Sequence, residues 1–111
     1  MRTDERKNEI ERKNEMKIWI DDIRKAPPEY VWCRSVNEAK YVISHAKDIE
    51  IIDMDHDAGD YAKDGGDYIK VLDWLVETDQ RYPIKIHSMN PVGVDNMRRL
   101  LNRYGFTEVV I

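Results

Sequence analysis

Three short stretches of this chain bring together residue types able to do chemistry: Asp21-Asp22, Asp55-His56-Asp57 and His87-Ser88-Met89-Asn90. Several carboxylates suit a hard divalent cation such as magnesium, which keeps waters and pairs with a substrate phosphate. Asp21, Asp22, Asp55 and Asp57 supply such carboxylates. An imidazole has a pKa near ~6.5 and can hold either protonation state at neutral pH, so His56 and His87 could serve as general base and general acid across a scissile phosphate. Asn90, with free amides at the start of the helix behind it, suits phosphate oxygens. Arg24 and Asp57 complete the candidate phosphate- and substrate-binding set. Other roles are open to the same residues. Asp21, Asp55 and Ser88 are types that cap turns and helices after a strand; either histidine could be a metal ligand or a structural residue; Arg24 could pair with Asp21 or Asp22.

Each stretch follows an apolar segment, and these segments must place the sites. Strands are expected over 16–20, 30–33, 49–54, 84–87 and 107–111, all rich in Ile, Val or aromatic residues. Helical periodicity marks 35–46, 66–79 and 91–104. Ser35 and Glu38 form a capping box for the first of these, and Asn90-Pro91 and Gly105 bracket the last. Strands alternating with helices imply an α/β domain with a parallel sheet. In the five-stranded order 2-1-3-4-5, right-handed crossovers put all three helices on one face. The segment between Ile20 and Tyr30 has two prolines and no helical pattern, so the opposite face lacks its usual helices. Lys17, Lys85 and Glu108 alternate with apolar neighbours, as in a sheet wet on one side. That face is expected to be bare, covered by residues 1–15, or used for self-association. Ligands of such sheets bind beyond the carboxyl ends of the strands, at the switch between strands one and three. The three chemical stretches all fall there.

A length of 111 residues allows one core, in a domain spanning 16–111. Residues 1–15 mix basic and acidic side chains without an apolar stripe, and read as a charged helix or tail. A net charge of −4 argues against extended duplex DNA binding while leaving room for a local phosphate site. The single Cys33 cannot form an internal disulfide, which points to a reducing, cytoplasmic setting. No apolar run is long enough to span a membrane, and the charged start shows no signal peptide. Trp19, Trp32 and Trp74 read as packing residues. Asp53-Met54-Asp55 resembles the Asp-x-Asp of haloacid-dehalogenase-type phosphatases, but it lacks their usual continuation and is not on the first strand. Asp53 is accordingly given little part in the site.

The pair Asp21-Asp22, Asp55 and Ser88 resemble the site of response-regulator receiver domains. The fuller set is Trp19-Ile20-Asp21-Asp22-Ile23-Arg24 with Pro27-Pro28, Asp55-His56-Asp57 with Gly59, Gly66-Asp67-Tyr68, and His87-Ser88 with Asn90-Pro91 and Gly93. This set resembles the cyclic-phosphate-processing receiver-like family from residue 16 to about 105. The resemblance implies a compact receiver-like (flavodoxin-like) fold, with the first and last receiver helices reduced or absent. It also implies a substrate that is a cyclic nucleotide or an RNA 3′-end, with metal held by Asp21, Asp22 and Asp55, proton transfer by His56 and His87, and phosphate positioned by Ser88 and Asn90. The lysine that ordinary receivers carry after strand five has no counterpart before Ile111. That absence and the added His56-Asp57 count against two-component signalling. The expected activity is metal-assisted hydrolysis of a cyclic phosphate; the alternatives are a non-catalytic module binding the same ligands, or a degenerate receiver phosphorylated on Asp55.

Overall fold

The computed structural model describes residues 15–110. The charged helix or tail expected over 1–15 lies outside them, apart from Glu15, which opens the first strand. Strands β1 (Glu15–Ile20), β2 (Tyr30–Cys33), β3 (Asp48–Met54) and β4 (Ile84–Ile86) form a parallel sheet in the order β2-β1-β3-β4. The expected fifth strand is reduced to an isolated parallel bridge between Ile84 and Glu108. Its backbone bonds are Ile84 N–H to the Thr107 oxygen and Val109 N–H to the Ile84 oxygen. β4 has three residues and offers little ladder to extend, and Glu108 turns its carboxylate to Arg98 Nε at 2.9 Å.

Three helices follow β2, β3 and β4: α1 (Val36–His45), α2 (Ile69–Glu77) and α3 (Pro91–Arg103). Ser35 caps α1 by accepting from Glu38 N–H, while Glu38 Oε1 reaches back to Arg34 N–H. α2 begins later than its periodicity suggests. Gly65 and Gly66 lie at φ +112° and +95°, outside helical geometry, and a 3-10 segment, Gly59–Lys63, precedes them. The buried faces of the helices (Val36, Ala39, Ile43; Val71, Leu72, Leu75; Met97, Leu101) share one core with Ile18, Ile20, Ile52, Met54 and Ile84. The three helices therefore lie on one side of the sheet. Cys33 is buried in the same core, and desolvation, with the nearby Glu38 charge, pushes its thiol up to about 12.

A register shift between Met16 and Lys17 lets Glu50 bulge out of β3, where its carboxylate meets Lys17 Nζ at 3.5 Å. Beyond the bulge, Lys17 pairs with Ile51 and Trp19 with Asp53, and Asp53 in turn pairs with Lys85. These residues share the sheet face opposite the helices. No described helix is long and apolar enough to cross a membrane.

Candidate functional site

The end of β1 delivers Asp21 and Asp22, and β3, its hydrogen-bonded neighbour, delivers Asp55. One carboxylate oxygen from each of the three lies within 4.8 Å of the others. Asp21 is 1% exposed and already heavily bonded. Its Oδ1 accepts from the backbone N–H of Ile23 and Arg24, and its Oδ2 faces His87 Nε2 at 2.8 Å. Burial pushes its pKa up, but these bonds and the His87 charge outweigh burial and hold it below the usual carboxylate value. Asp22 moves the other way. Burial raises it, and the Asp21 and Asp55 charges add repulsion. A carboxylate strained by two like charges is the electrostatic setting that a divalent cation relieves, so the donor set fits a hard metal.

His87 sits at the end of β4, on the helix-free face of the sheet. Its ring is stacked on Trp19, with centroids 3.9 Å apart and planes 7° from parallel. Nδ1 lies 2.6 Å from Asp53 Oδ1, so the imidazole bridges two buried carboxylates, Asp53 and Asp21. Burial lowers the His87 pKa, and the two carboxylates raise it further than burial lowers it. Asp53 and Trp19 thus hold a site residue in place, although the sequence reading gave Asp53 little part and Trp19 only packing. The missed signal is cross-strand: Trp19 and Asp53 are register partners, and Asp53's other partner, Lys85, lies two residues before His87.

His56 is held differently. Its Nδ1 is 2.8 Å from Asp57 Oδ1, its backbone N–H donates to Asp55 Oδ1, and its ring packs against Gly93 of α3. A Cβ at Gly93 would come within 2.5 Å of His56 Cγ. Asp57 also accepts from Asn90 Nδ2 at 3.3 Å, and its bonds to His56 and Asn90 lower its pKa against a smaller opposing effect of burial. The two imidazoles therefore have separate partners, His56 with Asp57 and Gly93, and His87 with Asp53, Asp21 and Trp19.

Ser88 Oγ accepts from Asn90 N–H, and Asn90 Oδ1 caps α3 by accepting from Gly93 N–H. Both side chains already have structural work, which leaves the backbone at the start of α3 beside the Asp57–His56 pair. Arg24 makes no ion pair with Asp21 or Asp22; its Nη1 donates to the His87 carbonyl at 3.1 Å, and its own carbonyl accepts from Trp19 Nε1. Arg34 and Tyr68 were not singled out by their types. Buried Tyr68 donates its hydroxyl to the Arg34 carbonyl at 2.6 Å, and Arg34 donates Nε and Nη2 to the Asp22 carbonyl.

Residues 16–103 match the family described as cyclic-phosphate processing receiver domain. The chain belongs to that family. No curated protein and no solved structure matches it. In this cyclic-phosphate processing receiver domain the carboxylates, both histidines, Ser88 and Asn90 all lie within the matched span. The parallel sheet and the three helices agree with a receiver-like fold, with four strands rather than five.

Proposed function

We propose that this domain opens a cyclic phosphate ester on a nucleotide or RNA 3′-end by metal-assisted hydrolysis. The observation that carries the reading is the His56–Asp57 pair set directly after Asp55, in a carboxylate cluster of three. Asp21, Asp22 and Asp55 would hold the cation, with magnesium the expected metal. Held there, a divalent ion would supply Lewis-acid stabilisation of the charge that builds on the phosphoryl group. With Nδ1–H donated to Asp57, His56 keeps its proton-exchanging lone pair on Nε2. It would take a proton from the attacking water or give one to the leaving sugar oxygen as one ring P–O bond breaks, leaving a phosphomonoester. Asp57 then orients His56, a different task from the direct substrate contact expected from sequence. His87, with a carboxylate on each nitrogen, is better suited to fixing Asp21 than to exchanging protons. At the start of α3 the Asn90 and Gly93 N–H groups are already bonded and Pro91 has none, so Val92 N–H is the amide left for the phosphate, with Ser88 and Arg24 nearby.

The test is ring opening followed by 31P NMR, with magnesium-supplied protein and 2′,3′-cyclic nucleotides, cyclic dinucleotides and RNA with 2′,3′-cyclic ends. Turnover on at least one class is expected, and His56→Ala should lower it by about a hundredfold or more. The capping bonds of Ser88 and Asn90 favour a second reading, a binding module without turnover. Tight binding with an unchanged 31P spectrum would establish that one instead. A mass gain on Asp55 after acetyl phosphate and magnesium, with neither ring opening nor cyclic-phosphate binding, would return the domain to receiver chemistry.

A further inference from the structure

A cavity of about 430 Å³ opens beside the carboxylate cluster, lined by Asp22, Ile23, Arg34, Gly59, Asp60 and Tyr61. Asp22 joins the two, with its carboxylate in the cluster and its carbonyl bonded to Arg34 inside the cavity wall. Gly59 lines the cavity and packs closely against the Asp22 carboxylate. It sits at φ +54°, and a Cβ there would run into Asp22 Oδ2.

The lining does not resemble a phosphate pocket, because two carboxylates accompany its single guanidinium. Ile23 stands 79% exposed at the rim, an aliphatic side chain with no burial to offset its contact with water. Arg34 lies 4.8 Å from the centroids of both Trp32 and Tyr61, which fixes its plane between two rings. Among the described residues it forms no ion pair, and Nη1 finds no acceptor while Nε and Nη2 are occupied. An apolar rim, an aromatic wall and an immobilised N–H edge suit a flat heteroaromatic group with acceptor atoms along one side. The volume lies in the lower part of the roughly 300–1,000 Å³ range of small-ligand clefts, the size of a nucleoside rather than of an oligonucleotide.

We propose that this cavity is a nucleobase subsite. The base packs on Ile23 and Tyr61 with an acceptor toward Arg34 Nη1, while the cyclic phosphate reaches past Asp22 to the carboxylates. The proposal rests on the cyclic-phosphate reading and sharpens it by making the substrate a nucleoside cyclic phosphate. The base belongs either to a free mononucleotide or to the last nucleotide of an RNA, which present the same chemistry here.

The test uses isotope-labelled full-length protein with magnesium and three probes: adenosine 2′,3′-cyclic phosphate, base-free glycerol 1,2-cyclic phosphate, and a short RNA ending in a 2′,3′-cyclic phosphate. Amide shifts report binding and 31P spectra report ring opening in the same sample. At least one of the two base-bearing probes should bind about tenfold or more tighter than the glycerol compound and shift the amides of Ile23, Gly59 and Tyr61. Tyr61→Ala should weaken that probe by about fivefold or more and leave the glycerol compound unchanged. Ile23→Ser, at an exposed position, should act in the same direction and separates loss of the subsite from misfolding. Preference for the RNA assigns the base to a strand end, and preference for the mononucleotide to a free ligand; both support the subsite. Equal affinity for base-bearing and base-free probes would overturn the subsite and leave the cyclic-phosphate reading standing. Absence of binding and opening with all three would overturn both.

Discussion

Changing Asp53 to asparagine removes a charge with almost no change of shape, which isolates the electrostatics of the bridge through His87. Asp53 is 4% exposed, and its Oδ1 lies 2.6 Å from His87 Nδ1, while Asp21 Oδ2 lies 2.8 Å from Nε2. A carboxylate at each nitrogen favours the doubly protonated ring, in which both nitrogens donate. Its pKa is raised above the 6.5 of a free imidazole, burial opposing and the two carboxylates prevailing. A raised folded pKa contributes stability that is fully present below about pH 6.5, the unfolded value. From there the contribution falls, by at most about 1.4 kcal/mol per pH unit, until the folded pKa is passed. Asp53→Asn replaces an ion-paired hydrogen bond by one to an uncharged acceptor and should cost about 1.5–3 kcal/mol at pH 6. The difference should shrink as pH rises and the wild-type imidazole loses its proton. Urea unfolding of chelator-treated protein, followed by circular dichroism from pH 5.5 to 9, measures both quantities, and ring NMR places the His87 titration. The reasoning fails if the variant stays within about 0.5 kcal/mol of wild type at pH 6 with the same pH slope. A His87 that titrates at or below its ordinary value would refute it equally.

Gly93→Ala should push the His56 ring out of place, because the new Cβ would stand 2.5 Å from Cγ. A cost of about 1–3 kcal/mol in urea unfolding is expected, with ring opening impaired in the protein that still folds. Asn90→Ala removes the α3 cap and one Asp57 partner, so a loss of about 1 kcal/mol is expected from thermal unfolding. Asp22→Asn relieves repulsion from Asp21 and Asp55; in chelator-treated protein it should melt no lower than wild type, and the magnesium-induced rise in Tm expected for wild type should vanish. A wild-type Tm insensitive to magnesium would argue against the metal assignment itself.

The elements were largely legible because their signals are local. Ser35 with Glu38, and Asn90 with Pro91, announce helix starts through bonds made within four residues. The apolar strands follow from their composition, and, once the 2-1-3-4 part of the order is given, crossover handedness puts the helices on one face. The fifth strand was not legible, because its length depends on a three-residue neighbour rather than on the Thr107–Val110 stretch itself. In the candidate site, Asp21, Asp22 and Asp55 converge as their places at strand ends suggest. What could not be read is partner choice. That His87 lies between Asp53 and Asp21, and His56 beside Asp57, depends on strand register and on which sheet face each ring occupies. Arg34 carries no signal of its own in the sequence. Its position follows from Trp32, Tyr61 and the Asp22 carbonyl, residues brought together by the fold.

Buried Cys33 gives the molecule a built-in clock. A thiol pushed up to about 12 has almost no thiolate at neutral pH, and behind the α1 core it is shielded from alkylating reagents as well. It reacts when β2 and the start of α1 separate, so the trapping rate counts openings of the edge of the sheet that carries Trp32 and Arg34. Because it is the chain's sole cysteine, that count comes from one place in the fold. A ligand that tightens this edge slows the clock, and one that binds elsewhere leaves it running at the same pace.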